Sequence, residues 1–315
     1  MNNMILAFEV VFPLMLMMSV GCSLQRFKIT DTASLNVMNK VVFRVFLPLL
    51  LFLNIYSLKP QEIFIKENIR LLILTAACVF GTILLTHFLF KMTVKDKRKS
   101  SVMIQGIFRS NLVLFGIPIT ASIYGEEHIG TVSLLAAVIV PLYNILAVIL
   151  LEAYRDRKID YKILILGIIK NPLVMASALA FLFLFFQIHI PGLLMSPLES
   201  MSKVATPLAF VVLGGTFRFD RLSGNRKHLA IVTIGRLILF PAMLLMIALL
   251  LGYRNEAIVA LIGAGASPTA VSSFTMAMEM DADGELAGQI VVVTSVASIV
   301  TIFLWVLFLK TCQFI

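Results

Sequence analysis

No aspartate of this chain falls inside a long apolar stretch: Asp31, Asp96, Asp156, Asp160, Asp220, Asp281 and Asp283 all stand between such stretches. A mid-membrane aspartate is what proton or sodium antiport by a buried carboxylate needs, so that coupling is disfavoured. Charge is scarce altogether, 14% of 315 residues against 60% hydrophobic ones, so most of the length is immersed in lipid. Cysteine is nearly missing too. Cys22, Cys78 and Cys312 lie far apart in or beside apolar segments, which excludes a disulfide framework and a metal-ligand cluster and leaves them as inert small hydrophobes. No P-loop, HExxH, GxSxG or Cys/His cluster occurs, which argues against an ATP-driven pump and the commoner membrane hydrolases. Neither an enzyme nor a cofactor is expected.

What is present is a series of apolar runs, at about Met4 to Leu24, Leu35 to Tyr56, Ile69 to Lys91, Val102 to Ile123, Ile129 to Ala153, Ile163 to Gln187, Val204 to Phe217, Leu229 to Gly252, Ala257 to Met278 and Leu286 to Leu309. Most reach the roughly 20 residues that a helix needs to cross a hydrocarbon core of about 30 Å. The seventh is short and extends back to Leu198. Pro13, Pro48, Pro118, Pro141, Pro207 and Pro241 lie within runs, where neighbouring helices can satisfy the carbonyls they free. The reading is an all-α polytopic membrane protein of ten transmembrane helices. The first run is retained rather than cleaved, because MNNM has no basic residue and the run exceeds a signal peptide's apolar core, although SVGC (Ser19 to Cys22) has a lipoprotein-like look.

The formal net charge of +9 need not mean nucleic acid, because the basic residues sit in short loops. Odd-numbered loops hold Arg26 and Lys28; Lys95, Lys97, Arg98 and Lys99; Arg155, Arg157, Lys158 and Lys162; and Arg218, Arg221, Arg226 and Lys227. Even-numbered loops hold Lys59, Lys66, Lys203 and Arg254. This bias places the odd loops in the cytoplasm and both termini outside. The loop with Glu279, Asp281, Asp283 and Glu285 is acidic yet cytoplasmic by this count, and carboxylates weigh little in the rule.

Two runs carry residues that disfavour helix at mid-span: Ser110-Asn111 in RSNLVLFGIP and Ser267-Pro268 in GAGASPTAVSS. Free backbone at that depth is tolerated only where it faces protein or a polar cavity. Divided into two fives, the ten runs put Pro48 opposite Pro207, and the breaks fall in the fourth and ninth. An odd-numbered repeat must be inverted. The expectation is therefore two inverted five-helix repeats with crossed, broken helices four and nine, their half-helix N-termini aiming free N–H groups at one midplane point, an anion site.

NLVLFGIP after Arg109-Ser110, with Asn39 and Phe46-Leu47-Pro48, Gly235-Arg236 and Pro241, and Ser267-Pro268, resembles the auxin efflux carrier family, which includes plant auxin carriers and bacterial malate or malonate permeases. The resemblance runs over all ten spans. It implies a scaffold of spans one, two, six and seven (1–57 and 163–217), a mobile domain (58–153 and 218–315), a cytoplasmic linker (154–162), a homodimer through the scaffold, and residence in a bacterial plasma (inner) membrane. Asn111 falls on the plant carriers' crossover asparagine and Pro268 on their second crossover proline; Ser110 replaces the first. Their acid and lysine pair is missing from span three, whose ionisable groups from Leu71 to Phe90 are Cys78 and His87.

The expected substrate-binding set is Asn111, Ser110, Ser267, Pro268, Thr269, Arg109 and Arg236. Asn111 has an alternative as helix-to-helix glue worth about 1 kcal/mol, and Ser110 and Pro268 as shapers of the backbone. Arg109 and Arg236 are intramembrane cations, functional by default, although Arg109 stands near enough to the cytoplasmic side to snorkel. Arg44, with no evident partner except Glu9 or Glu152, reads as structural; His87 as packing or interface; and the methionines and Phe181 to Phe186 as lipid-facing bulk. The expected function is secondary transport of a small organic anion, a dicarboxylate such as malate or malonate, by alternating access. The alternatives are an aromatic carboxylate or amino acid derivative and, remotely, a membrane sensor or intramembrane enzyme.

Overall fold

A computed structural model describes residues 2–58, 65–155 and 161–315. Lys59 and, from the expected linker, Asp156, Arg157, Lys158 and Asp160 lie outside the described residues, as does the side chain of Lys162.

Every apolar run is helical, whole or in two pieces. In chain order the elements are α1 (Asn2–Arg26); α2 (Thr32–Val41) and α3 (Leu47–Tyr56), joined by a π turn, Val42–Phe46; α4 (Lys66–Thr93); α5 (Lys97–Phe108) and α6 (Leu112–Tyr124); α7 (Gly130–Ala153); α8 (Tyr161–Ile169) and α9 (Pro172–Phe185); α10 (Gly192–Thr216); α11 (Arg226–Ile234) and α12 (Phe240–Leu250), joined by a π turn, Gly235–Leu239; α13 (Asn255–Ala266) and α14 (Ser272–Glu279); and α15 (Gly284–Thr311). Among the described residues, six continuous helical stretches are long and apolar enough to cross a membrane, and α6, α9 and α13 are shorter apolar helices. The chain is a polytopic membrane protein. Two boundaries differ from expectation. The seventh helix starts earlier, at Gly192, through a polar first half holding Glu199 and Lys203. The sixth run is interrupted before Pro172, because a proline disfavours helical backbone in the residue ahead of it. Asn171 there accepts from the Leu173 amide at 3.0 Å and restarts the helix, with Pro172 at its first position.

Both π turns prepare for a proline. Val42–Phe46 precedes Pro48 and Gly235–Leu239 precedes Pro241, each proline removing one rung of the helical ladder. The Leu237 carbonyl that Pro241 would have served instead accepts from Trp305 Nε1 at 2.9 Å.

Without a hydrophobic drive between helices in lipid, close approach depends on small residues. α1 packs most extensively on α10, where Gly21 lies against the backbone of Val211 and Gly215, and Gly214 against that of Met18. α3 packs on α9 and α10. A second set packs α13 on α6, α7 and α12, with Gly116 so close to Gly263 that a Cβ on Gly116 would stand 3.2 Å from the Gly263 Cα.

The loops gather at two ends. At one, Arg155 pairs with Glu152 at 2.8 Å and Asp281 at 3.2 Å, Arg221 pairs with Glu285 at 2.8 Å, and Arg98 donates to the Ala282 carbonyl at 3.1 Å. The acidic loop thus stands among the arginines of the basic loops. At the other end His128 meets Glu256 at 2.6 Å, the Ile190 amide donates to Tyr56 Oη at 3.1 Å, and Arg254 stacks on Phe314. Arg44 is exposed on its π turn and pairs with neither Glu9 nor Glu152, the latter being held by Arg155. His87 packs as expected, its Nδ1 2.7 Å from Tyr154 Oη. The methionines are not all lipid-facing: Met103, Met276 and Met280 are buried. The cysteines are free.

Candidate functional site

The two breaks meet. After α5 the backbone is extended at Arg109, after α13 at Ser267, and Ser110 pairs with Thr269 in an antiparallel bridge. The Asn111 amide donates to the Pro268 carbonyl at 2.8 Å, and the Ala270 amide donates to the Arg109 carbonyl at 3.4 Å. Backbone groups freed from two helices therefore satisfy each other deep in the molecule, as a lipid setting demands. Proline fits this pairing because an extended segment can leave its missing donor unused.

Arg236 locks the crossing. Its side chain is completely buried, with Nε donating to the Ser267 carbonyl at 2.8 Å, Nη2 to Ala264 at 2.9 Å, and Nη1 to Ile107 at 2.9 Å and Phe108 at 3.5 Å. These are the carbonyls that α5 and α13 leave unsatisfied at their C-termini. Each helix end carries about half a negative charge, so one guanidinium neutralises two of them without a carboxylate.

Arg109 faces the other way, into a cavity of ≈ 180 Å³ between the crossing and helices α3, α7, α9 and α10. It does not snorkel, being only 2% exposed. Its guanidinium donates to Ser272 Oγ at 2.8 Å, to Asn144 Oδ1 and to Met276 Sδ, and no carboxylate pairs with it among the described residues. A buried cation held by neutral acceptors alone is costly unless something supplies the counter-charge. Beside it, the N–H groups of Leu112, Val113 and Leu114 open α6 with no intrahelical acceptor, no side chain caps them, and all three residues line the cavity. Asn111 lines it as well and makes no side-chain hydrogen bond.

Of the expected site residues, the structure brings Arg109, Ser110 and Asn111 to the cavity. Ser267, Pro268, Thr269 and Arg236 do not line it. Thr269 spends its hydroxyl on the Gly106 carbonyl at 2.7 Å, and the Ser267 hydroxyl is buried without a partner. The second break contributes Ala270, Val271 and Ser272 instead. Nor do both half-helices present free amides equally. Near the start of α14 the amides of Ser273 and Phe274 turn back onto the carbonyls of Ala270 at 2.9 Å and Val271 at 3.0 Å.

Sequence reasoning missed Tyr143, Asn144 and Asn54, which also line the cavity. Ser110 Oγ donates to Tyr143 Oη at 3.4 Å, and Asn144, which accepts from Arg109, anchors itself by donating to the Val140 carbonyl at 3.0 Å. Their signal was available: a Tyr-Asn pair just past Pro141 interrupts an otherwise aliphatic helix, and Asn54 does the same in LFLNIY.

Membrane-length helices, two of them broken and paired beside a buried, unpaired cation, define a membrane carrier. Residues 6–306 match the family described as "Membrane transport protein", and the chain belongs to it, the auxin efflux carrier family that the crossover residues resembled. It is similar to an uncharacterized transporter of Methanocaldococcus jannaschii, 22% identical over 305 residues, covering 94% of this chain and 97% of that protein. A second uncharacterized transporter, from Methanothermobacter thermautotrophicus, is 22% identical over 297 residues, covering 94% of this chain and 96% of its own length.

Proposed function

We propose that this transporter carries a small organic anion by alternating access about the crossing of its two broken helices. The carrying observation is Arg109, a buried guanidinium at the cavity wall with no carboxylate partner among the described residues, beside the open backbone amides of residues 112–114 and the unengaged side-chain amide of Asn111. A substrate carboxylate completes that set. Between the substrate classes, the lining favours a monocarboxylate with an apolar or aromatic body over malate or malonate. The opposite walls are Leu47, Leu50, Leu51, Val140 and Leu173, and Arg109 is the only charged residue among the described residues lining the cavity. A second carboxylate would be desolvated there without a cation of its own.

The same reading takes the runs as ten crossings in two inverted repeats. It has 58–153 and 218–315 moving on a scaffold of 1–57 and 163–217 about the 154–162 linker, which the packing of α1 on α10 and of α3 on α9 supports. It places the protein in a plasma membrane as a scaffold-mediated homodimer with both termini outside. Cysteines introduced singly at Glu127 and Gln313 of a cysteine-free background are then labelled by an impermeant maleimide on intact cells, and one at Lys97 is not. Labelling at Lys97 reverses the orientation.

The decisive experiment is uptake into proteoliposomes of labelled phenylacetate, benzoate, malonate and malate by wild type and Asn111→Ala. Because the Asn111 side chain makes no hydrogen bond in the protein, its loss should leave the size-exclusion profile and Tm near wild type. Deleting a donor to a charged ligand should raise KM about tenfold. Wild-type KM with normal folding would remove Asn111 from the site, and absence of uptake of every carboxylate would reject the anion reading.

A further inference from the structure

A second cavity, of ≈ 260 Å³, lies at the basic-loop end, between the start of α2, the end of α10 and the first turns of α15. Among the described residues it shares no lining residue with the crossing cavity. At its back Gln289 is 1% exposed, and the Gln289 Nε2 has no hydrogen-bond partner. That orphan is not a matter of which way the amide is turned. Lys99 Nζ donates to Asn225 Oδ1 at 3.3 Å, and Asn225 Nδ2 donates to Gln289 Oε1 at 2.8 Å. An ammonium can only donate, so Asn225 must turn its oxygen to Lys99 and its nitrogen to Gln289, which must then accept. The chain ends in a buried NH₂ that is fixed as a donor and polarised by a cation at its head. A buried donor left empty is unfavourable, and an acceptor in the cavity removes that cost.

The same cavity is lined by Arg218 and Arg221. Arg221 is taken by Glu285 at 2.8 Å, whereas Arg218 is exposed and pairs with no carboxylate among the described residues. We propose that this cavity is an oxyanion site, separate from the crossing, in which Arg218 and the Gln289 Nε2 hold a carboxylate or phosphate group and Lys99 and Asn225 position the amide. The site lies where α2 and α10 face α14 and α15, so its occupant bridges the two helix sets.

The test is thermal unfolding of purified protein in nanodiscs, followed through Trp305. Inorganic phosphate is titrated in phosphatidylcholine discs, and phosphatidylglycerol is compared with phosphatidylcholine in the absence of phosphate. Wild type should be stabilised saturably. Arg218→Gln, at an exposed position, should weaken the apparent phosphate affinity about tenfold. Gln289→Glu keeps its acceptor for Asn225 but puts a carboxylate oxygen where the donor was, so it should abolish the response. Asn111→Ala should respond as wild type, which separates this site from the crossing. A phosphate response in phosphatidylcholine identifies a soluble oxyanion, and stabilisation by phosphatidylglycerol alone identifies a lipid headgroup, provided the two variants lose it. No response in wild type, or equal responses in wild type, Arg218→Gln and Gln289→Glu, overturns the proposal.

Discussion

Arg236→Met should yield almost no monodisperse protein from detergent extracts, while Arg236→Lys should yield a folded but less stable one. Arg236 supplies donors to Ser267, Ala264, Ile107 and Phe108, four carbonyls at the ends of two helices, and its side chain has no exposed surface. Each buried carbonyl left without a donor costs on the order of 1–3 kcal/mol, and the two converging helix ends would also lose their counter-charge. The sum is comparable with the roughly 5–15 kcal/mol that holds a typical domain together. Lysine restores the charge but not the planar fork that reaches several acceptors at once. The measurement is the size-exclusion profile and Tm of both variants beside wild type. An Arg236→Met protein with normal profile and Tm would show that the crossing holds without the clamp.

Which of the two intramembrane arginines faces the cavity was not legible in the sequence. Both are isolated cations in apolar runs, and the distinction depends on which helix ends converge on which guanidinium. That is a property of the crossing, set by sequence-distant contacts such as Gly116 against Gly263. The breaks were legible because Ser110-Asn111 and Ser267-Pro268 violate helix propensity where a lipid-spanning helix has least reason to. The interruption before Pro172 carried the same kind of signal, an Asn-Pro start, but it was hidden within a run that kept its hydropathy across the gap. Asn144 and Tyr143 stand in the sequence as polar residues of an aliphatic helix, which packing alone can account for; only the proximity of Arg109 gives Asn144 its part. The acidic loop that ran against the charge pattern is explained by partners, since Arg155 and Arg221 meet Asp281 and Glu285 at the same end of the molecule.

An interior-positive potential should drive anion uptake into proteoliposomes with no sodium or proton gradient, and Arg109→Gln should all but abolish that uptake at low substrate. Uniport of a monocarboxylate moves one negative charge per cycle, whichever step carries it. Arg109 decides the step. With substrate bound its charge is cancelled, so the loaded crossing moves little net charge through the field; empty, it returns carrying a positive charge that no carboxylate among the described residues offsets. The empty return is then the voltage-sensitive step, and one charge across 100 mV is worth about 2.3 kcal/mol, an accumulation ratio on the order of fiftyfold. Replacing the guanidinium with a neutral amide removes a charged donor and should raise KM about ten- to a hundredfold. It also shifts the voltage dependence onto the loaded step, where an uncompensated carboxylate now crosses. The measurement is initial uptake rate against a potassium–valinomycin potential for both proteins, at low and saturating substrate. Wild-type uptake that ignores the potential but follows a sodium or proton gradient would reject the scheme, and would point to a cation site built from backbone carbonyls at the crossing.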